Sequence, residues 1–250
     1  MKISALPGML GLLGVLMKYN HCAKEIDGAK ASGDIELEKQ KIAVHAAEWA
    51  DAEIRKAGTS LLVEGRENIP AQDGFVVIAN HQGYGDILAL LSAFRGHQLG
   101  FVAKEELGRV PLLGPWILRV RSVLIQRGDA RAALRSLSEG TKMVKQGFNL
   151  CIFPEGTRAK GPHPGPFKPG SFKLATKAKA PVVPVSIQGT YHIYEEKGRI
   201  RPGTVRIRIH PALPTDGLSR QEQNELESRV ESIVKEGQSA LYEAEQSSGR

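Results

Sequence analysis

Apolar positions along this chain change rhythm near Gly58, and the change divides it into two parts. Before it, residues 3–17 read ISALPGMLGLLGVLM with no charge. Ile35, Ile42, Ala46 and Trp49 then recur at helical spacings between about residues 34 and 56. KASGD, residues 30–34, has turn composition, so residues 1–57 are expected to form an αα-hairpin. Past Gly58, the short apolar runs SLLVEG, FVVIAN, GFVA, SVLIQ, LCIFPEG, VVPVSIQG and VRIRIH alternate with helical patterns near 86–94, 111–119, 129–146 and 170–179. Such alternation predicts an α/β fold over residues 58–250: a mostly parallel mixed sheet of about seven strands flanked by helices. VRIRIH alternates cleanly, which calls for an edge position or one solvated face. Ser219 and Glu222 are spaced as a capping box, and Leu226, Val230, Ile233 and Val234 form the apolar stripe of a closing helix.

Composition narrows the partners. The 250 residues are 41% apolar and 24% charged, enough for a sizeable core without wholesale disorder. A net charge of +7 favours a polyanionic partner: nucleic acid, an anionic membrane surface or a phosphorylated substrate. Aromatic residues are only 6%, and no nucleic-acid motif occurs, so nucleic acid is set aside. Cys22 and Cys151 stand far apart without metal or redox spacing, and Cys151 lies within an apolar run, as suits a reducing compartment. A helix over residues 3–17 would span about 22 Å, short of the ~30 Å hydrocarbon core. Pro7, Gly8, Gly11 and Gly14 weaken it further. An interfacial anchor is the favoured reading; a helix on the protein's own core and a signal peptide are the alternatives.

The chemistry gathers at two places. NHQGYGD, residues 80–86, follows one apolar run and opens another. A dinucleotide fingerprint would need a third glycine where Leu88 stands, and no GxxxxGK[ST] occurs. If residues 81–85 form a turn, His81 at a strand end can meet Asp86 in the first turn of a helix. Asp86 would then fix the imidazole tautomer and leave the other ring nitrogen as a general base. The alternative is an aspartate cap beside a turn histidine. FPEGTR, residues 153–158, ends another apolar run. Gly156 permits a tight turn, and Arg158 offers a planar fork for phosphate oxygens. Glu155 would hold that arginine or accept a substrate hydroxyl.

NHQGYGD and FPEGTR, in this order, resemble the NHx4D and third motifs of the glycerolipid acyltransferases. FVAKEEL, SVLIQR, FKPGSFKLA and VVPVSIQG resemble further family segments, so the likeness covers roughly residues 75–190. Within the family, the chain most resembles the bacterial 1-acylglycerol-3-phosphate acyltransferases. The resemblance implies that His81, oriented by Asp86, deprotonates the acceptor's hydroxyl for attack on an acyl thioester, with Glu155 ordering the acceptor. Arg158 would hold the phosphate, with Lys104, Arg127 and Lys168 as weaker candidates beside Gly156 and Thr157. The absence of a G-x-S-x-G elbow argues against a covalent intermediate. Backbone amides near Gly83 or Gly156 are candidates for the oxyanion.

No cofactor or metal is implied. The expected partners are acyl-CoA or an acyl carrier protein, lysophosphatidic acid and an anionic membrane surface; the alternatives are the same chemistry on another lysolipid or glycerol 3-phosphate, or a non-catalytic membrane lipid-binding protein. The expected location is the cytoplasmic face of the inner membrane, held peripherally. Two departures from the family pattern stand out: Gly83, where serine is frequent, and Gln126, where an acidic residue often precedes the arginine. Deleting residues 3–17 is expected to weaken binding to anionic liposomes, and a flotation assay with unchanged binding would refute the anchor.

Overall fold

The computed structural model describes residues 20–126, 128–168 and 170–248. The expectations for residues 3–17 and for Arg127 therefore lie outside the described residues. The chain opens with helices α1 (Asn20–Ser32) and α2 (Ile35–Lys56), joined across Gly33 and Asp34. Gly33 takes a left-handed φ of 77°, and the Asp34 side chain caps α2 by accepting the Leu37 amide at 2.9 Å. Glu36 and Glu38 in the first turn, and Arg55 and Lys56 in the last, complement the helix dipole. Ile42, Ala46 and Ala50 face inward as the spacing requires, whereas Ile35 in the first turn is exposed. Trp49 covers the core rather than standing clear of it.

Seven strands form one sheet: β1 (Ser60–Glu64), β2 (Val76–Ala79), β3 (Gly100–Lys104), β4 (Val123–Ile125), β5 (Leu150–Ile152), β6 (Val182–Gln188) and β7 (Thr204–Ile209). Their order is β1-β7-β6-β2-β5-β3-β4, parallel throughout except where β6 meets β7. Central β2 is buried on both faces, and its alternation sorts the core into two layers. Phe75, Val77 and Ala79 pack under α2 and α3 (Gly85–Ala93). Val76 and Ile78 pack under α5 (Ala130–Lys145), α6 (Lys173–Ala178) and α8 (Arg220–Ser248). Two short helices, α4 (Leu113–Arg119) and α7 (Thr190–Ile193), complete the described set. Strand β7 is not at an edge, because β1 pairs outside it. Its alternation reflects the other expectation, with Val205, Ile207 and Ile209 buried and the arginines between them half-buried.

Polar ties fasten the helical pair to the sheet. Arg121 grips Glu38 with two 2.6 Å hydrogen bonds, and Lys39 reaches Asp73 at 2.9 Å. Burial would raise the Asp73 carboxyl, but hydrogen bonds from His97, Asn149 and Lys39 overcome that and hold it down at about 2. All of this lies at the amino-terminal edge of the central strands. The opposite edge is left for chemistry.

Helix α8 closes the second face. Its capping box is formed, with Ser219 donating its amide to Glu222 at 2.7 Å. At Gly237 the helix lies directly on Ser186 and His210. The Ser186 hydroxyl donates to the Val234 carbonyl at 2.9 Å and meets His210 Nε2 at 2.8 Å. Burial and nearby Arg208 push the His210 imidazole down to about 4, so a neutral ring fills this seam. A Cβ on Gly237 would fall 2.6 Å from that ring, where neither neighbour is free to give. Gly237→Ala is therefore expected to destabilise by about 1–2 kcal/mol net of its better helix propensity. A lowered urea midpoint would show this; an unchanged or raised one would refute the tight seam.

Candidate active site

The parallel pairing of β2 with β5 on one side and β6 on the other brings three strand ends to one edge. NHQGYGD leaves β2 there, FPEGTR leaves β5, and Gly189-Thr190 leaves β6. Open α/β sheets bind ligands at such carboxyl ends. Asn80 secures the first exit, since its side chain donates to the Ile187 carbonyl at 2.9 Å and accepts the Ile187 amide at 2.8 Å. The backbone beyond FPEGTR is tied to the same turn, with the Ala159 amide on the His81 carbonyl and the Lys160 amide on that of Gln82.

His81 and Asp86 meet. His81 Nδ1 lies 2.6 Å from Asp86 Oδ2, and that oxygen also accepts the amides of Gln82 at 2.7 Å and Gly83 at 2.9 Å. Asp86 Oδ1 accepts the Thr190 hydroxyl. The carboxylate is wholly buried, and its donors answer the cost of taking a charge out of water. As an acceptor it holds a proton on Nδ1, and Nε2 has no hydrogen-bond partner among the described residues. Phe153 stacks on the imidazole with centroids 4.0 Å apart, and Phe101 stacks on Phe153 in turn. The ring is held edge and face.

The glycines of the turn serve a different purpose from the one their composition suggests. Neither Gly83 nor Gly85 has a positive φ. What each lacks is a Cβ: one on Gly83 would meet Glu195 Oε2 at 2.5 Å, and one on Gly85 would meet Ile193 at 3.2 Å. Gly156 does need its conformation, with φ at 67°.

Glu155 does not hold Arg158. Its oxygens accept the His81 amide at 2.6 Å and the Gly165 amide at 2.7 Å, so it braces the histidine through the backbone. Burial pushes its carboxyl up, against those two amides. Arg158 instead donates to Glu195 at 2.8 Å and lies 3.7 Å above the Tyr84 ring. The oxyanion candidates fare differently too: the Gly83 amide is on Asp86, and the Gly156 amide is on the Phe153 carbonyl at 3.1 Å. Lys168 extends over Gly156, and Thr157 lines a cleft of about 600 Å³ with Glu155, Gly165 and Lys168. Lys104 ends β3 half-exposed and pairs with Glu106, while Arg127 lies outside the described residues.

Residues not singled out from sequence complete the site. Gln82 accepts the Gly189 amide at 2.9 Å and donates to Gln188 at 2.8 Å. Gln188 also accepts from Gln238 and donates to Glu245, both on α8. Gln82 lies inside the heptapeptide, where the spacing between His81 and Asp86 drew attention away from it. Thr190 and Glu195 are distant in sequence and carried no local signal.

A family profile described as Acyltransferase matches residues 60–188. A 1-acyl-sn-glycerol-3-phosphate acyltransferase of Borreliella burgdorferi is 30% identical over 181 residues, covering 72% of each chain. A chloroplastic 1-acyl-sn-glycerol-3-phosphate acyltransferase of Brassica napus is 37% identical over 152 residues, 59% of this chain and 43% of that one. The chain thus spans less than half the length of the chloroplast relatives it matches. The crystal structure of the 1-acyl-sn-glycerophosphate acyltransferase PlsC from Thermotoga maritima superposes with a TM-score of 0.73 at 32% identity, covering 93% of this chain and 95% of that chain.

Thr190→Val would leave Asp86 Oδ1 buried with one donor fewer. Unfolding free energy is expected to fall by about 1–3 kcal/mol, with Thr190→Ser retaining most of it. A Thr190→Val denaturation midpoint equal to wild type would show that the hydroxyl does not hold the carboxylate.

Proposed function

The chain belongs to the glycerolipid acyltransferase family, and from that premise we propose that it transfers an acyl group from a thioester donor to the sn-2 hydroxyl of lysophosphatidic acid, giving phosphatidic acid. The observation that carries this reading is the buried His81–Asp86 pair with Nε2 left open, at the strand edge that also bears Arg158. His81 Nε2 takes the proton from the acceptor hydroxyl as its oxygen attacks the thioester carbonyl. Asp86 keeps the ring in register and faces the positive charge that the imidazolium acquires. The tetrahedral intermediate collapses by breaking the carbon–sulfur bond, and the imidazolium returns its proton to the departing thiolate. No protein nucleophile is required, since the acceptor oxygen itself forms the new ester bond.

Arg158 is the acceptor's phosphate ligand in this reading, with Lys168 adding positive charge above Gly156. The donor carries coenzyme A or an acyl carrier protein. The protein works at the cytoplasmic face of the inner membrane, held peripherally by its amino-terminal region and its basic charge. No helix of the described residues is long and apolar enough to cross a membrane, which is compatible with that placement.

Purified protein given acyl thioester and lysophosphatidate is expected to release thiol and form the diacyl product. His81→Ala should lower kcat/KM by about 10²–10⁴-fold. Arg158→Ala should impair the phosphorylated acceptor far more than a neutral lysolipid. Wild-type turnover in His81→Ala would remove the histidine from the mechanism.

A further inference from the structure

We propose that Glu195 is a positioning residue that aims Arg158 at the acceptor's phosphate, and that Gly83 lacks a side chain in order to admit it. The inference rests on the acceptor reading above and adds a residue to it. Glu195 follows α7, far from both sequence clusters, yet its side chain is 3% exposed and lies between them. One oxygen, Oε1, accepts from Arg158 Nη1 and from the Tyr84 amide, each at 2.8 Å. The other, Oε2, is buried with no partner and occupies the space beside Gly83.

An unpartnered buried carboxylate oxygen is costly, so stability alone is a poor reason to have one here. Its effect on Arg158 is the better reason. A free arginine side chain samples many rotamers, and its fork binds a phosphate well only when its plane is set. Here one N–H is fixed by Glu195 and the face is fixed by Tyr84 at 3.7 Å. Among its five donors, that leaves the other nitrogens to meet two oxygens of one anion. The arginine side chain remains 24% exposed, so this edge is open to a ligand while the carboxylate behind it is sealed. Such a fork suits a phosphate, whose terminal oxygens can take two of its N–H groups at once, better than an acceptor that carries no anionic oxygens.

The geometry also accounts for Gly83. A Cβ there would stand 2.5 Å from Glu195 Oε2, so a side chain at position 83 would push the Glu195 carboxylate out of its place beside Arg158. Substitutions at the two positions should therefore act through one event, loss of the Arg158 brace, and fail to add.

The test is steady-state kinetics of the full chain with lysophosphatidate and an acyl thioester, each varied in turn, alongside melting temperatures. Glu195→Ala should raise the acceptor KM about tenfold and leave the donor KM within about twofold. Glu195→Gln keeps an oxygen for Arg158 and for the Tyr84 amide and should recover most of that loss. Gly83→Ala should also raise the acceptor KM, and the double variant should be no worse than the worse single one. The role of Glu195 is overturned if both KM values rise together, as a general loosening would cause. It is overturned equally if Glu195→Ala lowers the acceptor KM, which would make the carboxylate a competitor of the phosphate. Wild-type protein that does not turn over lysophosphatidate overturns the acceptor reading and this inference with it. Wild-type turnover with unaltered acceptor kinetics in Glu195→Ala overturns the inference alone.

Discussion

A carboxylate with no exposed surface must find its hydrogen bonds inside the protein, and Asp86 sets that demand at the centre of the site. Three of its donors come from the preceding turn: the His81 ring and the amides of Gln82 and Gly83. The fourth, the Thr190 hydroxyl, comes from the end of β6. A turn that folds back on its own aspartate cannot also offer those amides to a substrate. The same constraint that orients the histidine thus removes the Gly83 amide from any oxyanion role and leaves one ring nitrogen for chemistry.

The carboxylate's needs spread outward. Gln82, whose amide is given to Asp86, turns its side chain to β6 and meets Gln188, which α8 reaches through Gln238 and Glu245. A buried network of this kind stabilises only when every member is satisfied, which makes the carboxyl-terminal helix part of the support of the His81–Asp86 turn. On the other side, Glu155 holds the His81 amide and Phe153 holds the ring face, both supplied by the segment that leaves β5. The central β6-β2-β5 run is therefore the frame of the site as well as the core of the fold.

Much of this was legible in the residues. Strands and helices appear where the period of the apolar pattern changes, because burial on one face or on two imposes that period directly. The His81–Asp86 contact was legible because both partners belong to one short turn. Long-range partners were not. Glu155 binds the His81 and Gly165 amides rather than Arg158, and Glu195 takes the arginine, because the register of β2 against β5 and β6 decides which groups face one another. Strand β7 reads as an edge candidate from its alternation, yet β1 covers it, and no local feature of VRIRIH encodes that neighbour. The amides near Gly83 and Gly156 look available in the sequence and are engaged in the fold.

The glycines carry the clearest physical difference between the two views. Read along the chain, glycine means backbone freedom, and Gly156 with its positive φ fits that meaning. Gly83, Gly85 and Gly237 do not. Each sits where a side chain from a later part of the chain, or the junction of β6 and β7, presses against the backbone: Glu195 on Gly83, Ile193 and Thr190 on Gly85, Ser186 and His210 on Gly237. A missing Cβ in these places records the shape of a partner rather than the bend of a turn. Because the partners of Gly83 and Gly85 both lie in the segment after β6, that segment is fitted against the His81–Asp86 turn at two successive points. A substitution at Gly83 would press on Glu195 and so reach Arg158, and one at Gly85 would press on Ile193 and Thr190 and so reach Asp86. His81–Asp86 and Arg158, which sequence presents as separate motifs, are coupled through this third strand end.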